Sequence, residues 1–590
     1  MKYKIAQSSF KRLWYHITLR RRKQLALLLI VMVLASFAEV VSIGAVLPFL
    51  GVLMSPDLVF ASPIAQPLVK ALGLDAPRGL LFPLTAIFIL AALISGTIRI
   101  FLLWAQTRLG FAIGADLSSQ IYKKTLYQPY SVHISRNSSQ IISAVSTKTN
   151  AVIYSTLLPL LSIVSSSLIL VSILIALISI NPQVAIVAFF GFGIVYGLIV
   201  FGTKRRLAYD SDNISHQSNQ VIKALQEGLG GIRDVLIDGT QATYYKIYRD
   251  ADLPLRNSQA NIQIISGSPR FLIESFGMAL IALLAYGLSI GGDGITAAIP
   301  VLGALAVGAQ RLLPVLQQVY SGWASIRGND SILVDVLELL DQKLSVYADK
   351  SLSPSLPFVH SIKLDRVSYR YTKDGPYVLK DIDIEIKKGS RVGFIGTTGS
   401  GKSTLVDLIM GLLHPTSGVL SVDGALVTVQ NERQWQEHIA HVPQSIFLTD
   451  GTIAENIAFG VPADRIDHSR VRSASRQAQI AEVIEDWPQA YNTLVGERGI
   501  RLSGGQRQRI GIARALYKQA KIIVFDEATS ALDNETEDAV MQAIEGLSQD
   551  ITLLIIAHRL TTLKSCNQLL ELQEGRVKYV GSYSDIIKTA

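Results

Sequence analysis

Hydrophobicity divides this chain in two, and the division constrains its fold more than any other feature. Six apolar runs fall within the first ~330 of 590 residues, each close to the about 20 residues that a helix needs to cross a bilayer. They cover residues 25–53, 80–104, 153–180, 184–201, 271–290 and 297–316. The first is too long for a signal-peptide core and lacks an A-x-A-like end, so it is expected to remain in the mature protein. Basic residues place the N-terminus inside: Lys2, Lys4, Lys11, Arg12 and Arg20 to Lys23 surround Trp14 and Tyr15, as in an amphipathic segment at a membrane surface. Asn181-Pro182-Gln183 and residues 291–294, GGDG, are short outer turns, and Lys204-Arg205-Arg206 marks the inside again. Six crossings with both termini in the cytoplasm follow. The net charge of +9 belongs to this topology rather than to a nucleic-acid surface, so no nucleic acid partner is expected. A single cysteine, Cys566, excludes an internal disulfide, and it reads as inert packing.

Two polar stretches, residues 106–151 and 204–268, have helical periodicity and are long for plain loops. They are expected to carry the helices beyond the bilayer and to end in crosswise tips near Tyr130 and Gly231, which could touch a soluble domain. An amphipathic tail at 332–340 leads to a Pro/Ser linker ending at Pro357. The expected organisation is a membrane domain over 1–340, a linker over 341–357 and a soluble α/β domain over 358–590.

Residues 396–404, GTTGSGKST, match the phosphate-loop pattern G-x-x-x-x-G-K-[ST] at every required position. The apolar run 391–395 before them reads as a strand and 405–410 after them as a helix. Gly396, Gly399 and Gly401 let backbone N–H groups around Ser400 turn toward phosphate, and the helix start adds its positive end. Lys402 is placed to neutralise phosphate charge, with Thr404 beside it, and the Ser403 hydroxyl to ligate Mg²⁺. The apolar run 522–525 ends in Asp526 and Glu527, suited to holding Mg²⁺ through water and to polarising an attacking water, respectively. Residues 502–506, LSGGQ, complete the set.

Together these segments resemble the ATP-binding cassette (ABC) superfamily, along essentially the whole chain. The resemblance implies ATP and Mg²⁺ as cofactors, and a signature loop of Ser503, Gly504, Gly505 and Gln506 that closes over nucleotide held by another copy. It also implies a stacking role for Tyr371 on adenine, a Q-loop and metal role for Gln444, an X-loop at 493–499, a D-loop at 530–533 and a switch histidine at His558. Tyr371 also reads as an ordinary strand aromatic and His558 as a core histidine. A membrane domain followed by a motor in one polypeptide is the arrangement of half-size exporters in that superfamily. The implied unit is a dimer, since a signature loop must face each phosphate loop; intact motifs favour a homodimer, with a heterodimer as the alternative. Each copy has an all-α six-helix membrane domain fused to a P-loop nucleotide-binding domain, in a bacterial inner membrane.

For the cargo, the informative residues are charges at membrane depth: Arg99, Arg270 and Arg311, with Glu39 and Glu274. Ion pairing explains them in part, since Arg270 and Glu274 are four apart on one helical face. Three arginines against two glutamates point to an anionic ligand, and the guanidinium fork suits phosphate. Residues 37–49, 269–274 and 309–314 resemble bacterial flippases of lipid-linked oligosaccharides, which implies export of an anionic lipid-linked substrate. A multidrug or lipid exporter is the alternative reading. A nucleotide-gated channel or regulator fits poorly beside a complete hydrolytic set, and a peptide exporter is not expected without a peptidase-like Cys/His extension.

Overall fold

In the computed structural model the described residues are 2–54, 56–62, 66–180, 182–290, 295–344, 348, 355–527, 537, 539, 542, 544–546, 548, 550–557 and 563–585. The chain divides into two compact units, one of Met1–Tyr127 and Arg136–Lys343, the other of Gln128–Ser135 and Leu344–Ala590.

The first unit is helical throughout. Helix α1 (Lys2–His16) precedes α2 (Leu19–Met54), and α3 covers Leu81–Leu126. Between α2 and α3, where the sequence suggests only a loop, lie two short helices, Pro56–Ala61 and Gln66–Leu72. With 46 residues at 1.5 Å each, α3 is about 69 Å long, roughly twice the ~30 Å hydrocarbon core. Half of it therefore extends past the bilayer. Helix α4 (Tyr130–Ser135) forms the first tip and belongs to the second unit. The chain then returns through a helix interrupted by two π-helical turns, Ser143–Lys148 and Ile153–Leu157, before α5 (Leu158–Ile180). Nothing in the residue pattern announces those turns. The rest of the unit comprises α6 (Pro182–Gly230), α7 (Ile232–Ile237) at the second tip, α8 (Gln241–Gly267), α9 (Pro269–Ile290), α10 (Ile295–Gly328) and α11 (Asp330–Leu340).

Among the described residues, Leu19–Leu53, Pro77–Leu126 and Ser138–Ala176 are long and apolar enough to cross a membrane. The expected fourth, fifth and sixth spans fall within the helices Pro182–Gly230, Pro269–Ile290 and Ile295–Gly328, where a number of side chains lie outside the described set. Helices pack in pairs, α2 on α3, α6 on α8 and α10 on α5. Much of the largest buried core of the unit lies in the helical extensions, among them Ile113, Leu117 and Ile121 of α3, Leu207 and Ile214 of α6, and Leu333, Val336 and Leu337 of α11. Higher in α2 and α3, by contrast, Ile30, Leu34, Phe37, Leu90, Leu93 and Ile100 are exposed, because lipid rather than protein is their solvent.

In the second unit, β1 (Ser361–Tyr369), β2 (Leu379–Lys387), β4 (Ser417–Val422) and β5 (Ala425–Leu426) form an antiparallel sheet in the order β2-β1-β4-β5. A six-stranded sheet has the order β10-β9-β3-β8-β7-β6. Its members are β3 (Arg391–Ile395), β6 (Ile439–Val442), β7 (Ile522–Asp526), β8 (Thr552–Ile556), β9 (Gln568–Gln573) and β10 (Arg576–Gly581). Strands β9, β3, β8, β7 and β6 run parallel and β10 antiparallel. The central strands are apolar on both faces, as buried parallel strands are: Val392 and Phe394, Ile522 to Phe525 and Leu553 to Ile556 are nearly inaccessible. Helix α12 (Lys402–Ile409) packs Leu405, Leu408 and Ile409 into this core.

Candidate nucleotide site

Strand register is what assembles the site. Phe394 of β3 and Asp526 of β7 both lie opposite Ile556 of β8, and Phe525 lies opposite Val442 of β6. The phosphate loop, the carboxylates and Gln444 therefore leave neighbouring parallel strands at their carboxyl ends, where open α/β sheets bind ligands.

Gly396, Gly399 and Gly401 all have positive φ, at 145°, 82° and 102°. A Cβ at Gly401 would lie 2.7 Å from Leu379 Cδ2, so both conformation and space demand glycine there. Gly401 starts α12 in a left-handed conformation without a side-chain cap, leaving the first N–H groups of α12 without intrahelical acceptors and directed to the loop. Lys402 is buried, and its Nζ donates to the carbonyls of Gly396 at 2.8 Å and Thr397 at 3.0 Å. Burial pulls its pKa down, opposed by the charges of Glu527 and Asp526. Ser400 is buried with an Oγ that has no hydrogen-bond partner, a cost that an added acceptor would relieve. These features fit a bound polyphosphate.

Burial and Glu527 raise the pKa of Asp526, with Lys402 opposing. Glu527 adopts φ 49°, a strained conformation for this residue type, held by its N–H bond to Ile556 O at 3.0 Å. Gln444 Nε2 donates to Glu527 Oε2 at 2.7 Å. Ser403 is exposed at the start of α12. Hydroxyl, carboxylate and amide oxygens are hard donors that suit Mg²⁺ completed by phosphate oxygens and water. Among the described residues no group of three His, Cys, Asp or Glu side chains forms an all-protein metal site.

Tyr371 is half exposed and stands edge-on to Tyr369, centroids 5.1 Å apart, with its Oη 3.0 Å from Thr404 Oγ1. Ser503 caps α13 (Gly504–Tyr517): its Oγ accepts from Gln506 N at 3.2 Å, while Gln506 Oε1 accepts from Ser503 N at 2.9 Å. The spacing S-x-x-Q is the local signal of such a capping box. It presents Gly504 and Gly505 at an exposed helix start. His558 and the D-loop residues 530–533 lie outside the described residues. Asp407 is a residue that no motif flags. Burial, then Asp526, pushes its carboxyl pKa up to about 6.

In the membrane unit, Arg99 Nη1 lies 3.6 Å from Glu39 Oε2, with side-chain exposures of 51% and 5%. Glu39 also accepts from Ser95 Oγ at 3.0 Å. Arg270 Nε donates to Glu274 Oε1 at 2.7 Å. The Arg311 side chain lies outside the described residues.

The family model for the ABC transporter transmembrane region matches residues 25–299, and that for the ABC transporter matches residues 379–530. The chain is 30% identical over 538 residues to the ATP-dependent lipid A-core flippase of Methylococcus capsulatus, covering 90% of this chain and 87% of that one. It is 29% identical over 484 residues to the Ralstonia nicotianae protein of the same name, covering 80% and 79%. A bacterial Atm1-family ABC exporter with ATP bound shares the fold, with TM-score 0.77, 24% identity and 96% coverage of both chains. Similarity thus runs through the helical unit and the phosphate-loop unit in a single polypeptide, and the chain belongs to the ABC transporter family.

Proposed function

We propose that this ATP hydrolase works as a homodimer that flips an anionic lipid outward across a bacterial inner membrane, with both termini in the cytoplasm. The observation that carries the catalytic part is the Gln444–Glu527 hydrogen bond beside the phosphate loop. In this reading residues 1–340 translocate, 341–357 link and 358–590 hydrolyse ATP.

Tyr371 stacks on the base, and Lys402 exchanges its loop carbonyls for phosphate oxygens. The N–H groups at the start of α12 and the Ser400 hydroxyl meet the same phosphates. Ser403, Asp526 and Gln444 would hold Mg²⁺, which neutralises charge developing on the transferred phosphoryl group. Glu527 orients the attacking water and takes its proton, and His558 supports the γ-phosphate side. Ser503 to Gln506 of one copy face the nucleotide of the other, which is why two copies are required.

The names of the relatives support a lipid cargo. A lipid-linked oligosaccharide is the narrower reading, resting on residues 37–49, 269–274 and 309–314 and on the three arginines. The pairing of Arg99 with Glu39 and of Arg270 with Glu274 favours a second reading, an exporter of less charged compounds in which those residues are structural. Proteoliposomes supplied with ATP and a labelled polyprenyl diphosphate sugar, a labelled phospholipid or a neutral drug separate the two. Outward movement of the diphosphate lipid supports flipping of an anionic lipid, and movement of the neutral compound alone overturns it.

A further inference from the structure

A cavity of about 760 Å³ opens where α6 leaves the fourth apolar run. Its lining includes Phe201, Lys204, Arg205 and Asp212 of α6, Arg327 near the end of α10 and Asp330 at the start of α11. Above it on α6, Ile186, Phe190, Ile194, Leu198 and Phe201 are all exposed, Phe201 at 86%. Their spacing of four, four, four and three places them on one helical face, an apolar track that ends at Lys204 and Arg205.

The charges at the end of that track are unequal. Three cations meet two carboxylates, and each carboxylate is engaged: Asp212 accepts from Ser331 Oγ at 2.6 Å, and Asp330 lies 3.7 Å from Arg327. A guanidinium with five donors can serve a carboxylate and a phosphate together. Arg205 is exposed, and among the described residues no carboxylate lies within ion-pairing reach of it. The volume suits a small ligand, and an apolar track leading into a cationic mouth at the cytoplasmic boundary has the polarity of an inner-leaflet lipid.

We propose that this cavity seats the phosphate headgroup of a cytoplasmic-leaflet lipid, with Lys204, Arg205 and Arg327 around the phosphate and an acyl chain along the α6 track. Neither Arg99 nor Arg270 is among the residues that line the cavity, and the proposal does not depend on which cargo is moved. The track selects a lipid over free phosphate, because a soluble anion has no use for five exposed apolar side chains in line. Bound there, the lipid bridges α6 to the junction of α10 and α11.

The test uses the full chain carrying Phe201→Trp in phosphatidylcholine nanodiscs doped with brominated-chain phosphatidylglycerol, with wild-type emission subtracted. The added emission should be quenched at lower doping than brominated phosphatidylcholine requires. Adding Lys204→Gln and Arg205→Gln should raise the half-quenching fraction about fivefold per charge removed. Native mass spectrometry of the chain with its natural Phe201, with and without the two glutamines, should show the same loss of phosphatidylglycerol adducts. Equal quenching by both lipids, or no response to charge removal, overturns the proposal. So does displacement by millimolar inorganic phosphate, which marks a soluble-anion site, or absence of quenching by either lipid, which means that a second copy covers the track.

Discussion

Glu527 stands one residue beyond β7 at φ 49°, with its carboxylate engaged by Gln444. Left-handed backbone at a non-glycine residue persists where surrounding structure over-determines it, and such positions cluster at working sites. Glu527→Gln should keep Mg·ATP affinity within about threefold and lower turnover by about 10²- to 10⁴-fold, the usual worth of a general base. Steady-state hydrolysis and nucleotide binding on one preparation check this, and near-normal turnover would assign the base elsewhere. Asp407 gives a second residue-scale expectation. Its folded pKa of about 6 exceeds its ordinary 3.8, so the folded state holds the proton more tightly. That contribution to stability is complete below about pH 4 and lost as pH rises through 6. Asp407→Asn should therefore raise the Tm of the nucleotide-free protein above pH 7 and leave it nearly unchanged at pH 4. Thermal unfolding across that range measures the difference, and a pH-independent offset would contradict it.

Helix α11 shows how an amphipathic tail becomes a structural joint. Ile332, Leu333, Val336, Leu337 and Leu340 are buried on one face. Asp335, on another face, meets Lys148, which closes the first π-helical turn with a side chain only 4% exposed, and Ser215 of α6 donates to the same carboxylate. Just beyond the helix, Asp341 pairs with Arg12 and His16 of α1. Asp335→Asn leaves a buried ammonium without its counter-charge and should cost about 3 kcal/mol. Lys148→Met removes the buried charge and leaves a partly hydrated carboxylate, so its cost should be smaller. The double variant should lose less than the sum of the two. Chemical denaturation of the purified protein reads all three, and strict additivity would show that the pair is uncoupled.

The chain is a multi-pass membrane protein of the ABC transporter family, and its cargo reading depends on arginines whose partners differ. If Arg99 and Arg311 hold cargo, the double alanine variant should keep basal ATP hydrolysis within about twofold. Its lipid-stimulated hydrolysis and its flipping should fall at least about tenfold, and lysine should rescue only in part because the fork is gone. If Arg99 is structural, Arg99→Ala should instead lower folded yield, because Glu39 is left buried beside Ser95. Much of this molecule was legible in its residues. Apolar runs of bilayer length allow few structures other than helices, and the phosphate-loop pattern needs particular glycines and a lysine at fixed spacing because loops of this kind turn backbone N–H groups toward an anion. The capping box at Ser503 and Gln506 is equally local. What only the tertiary structure decided is pairing through space. Gln444 and Glu527 are 83 residues apart and meet because β6 and β7 lie side by side, an order that no local pattern encodes. The pairing of Arg99 with Glu39, the burial that raises Asp407 and the cationic mouth joining α6 to α10 and α11 arise in the same way. Charge and polarity are written residue by residue, whereas burial and proximity exist only once the chain has packed.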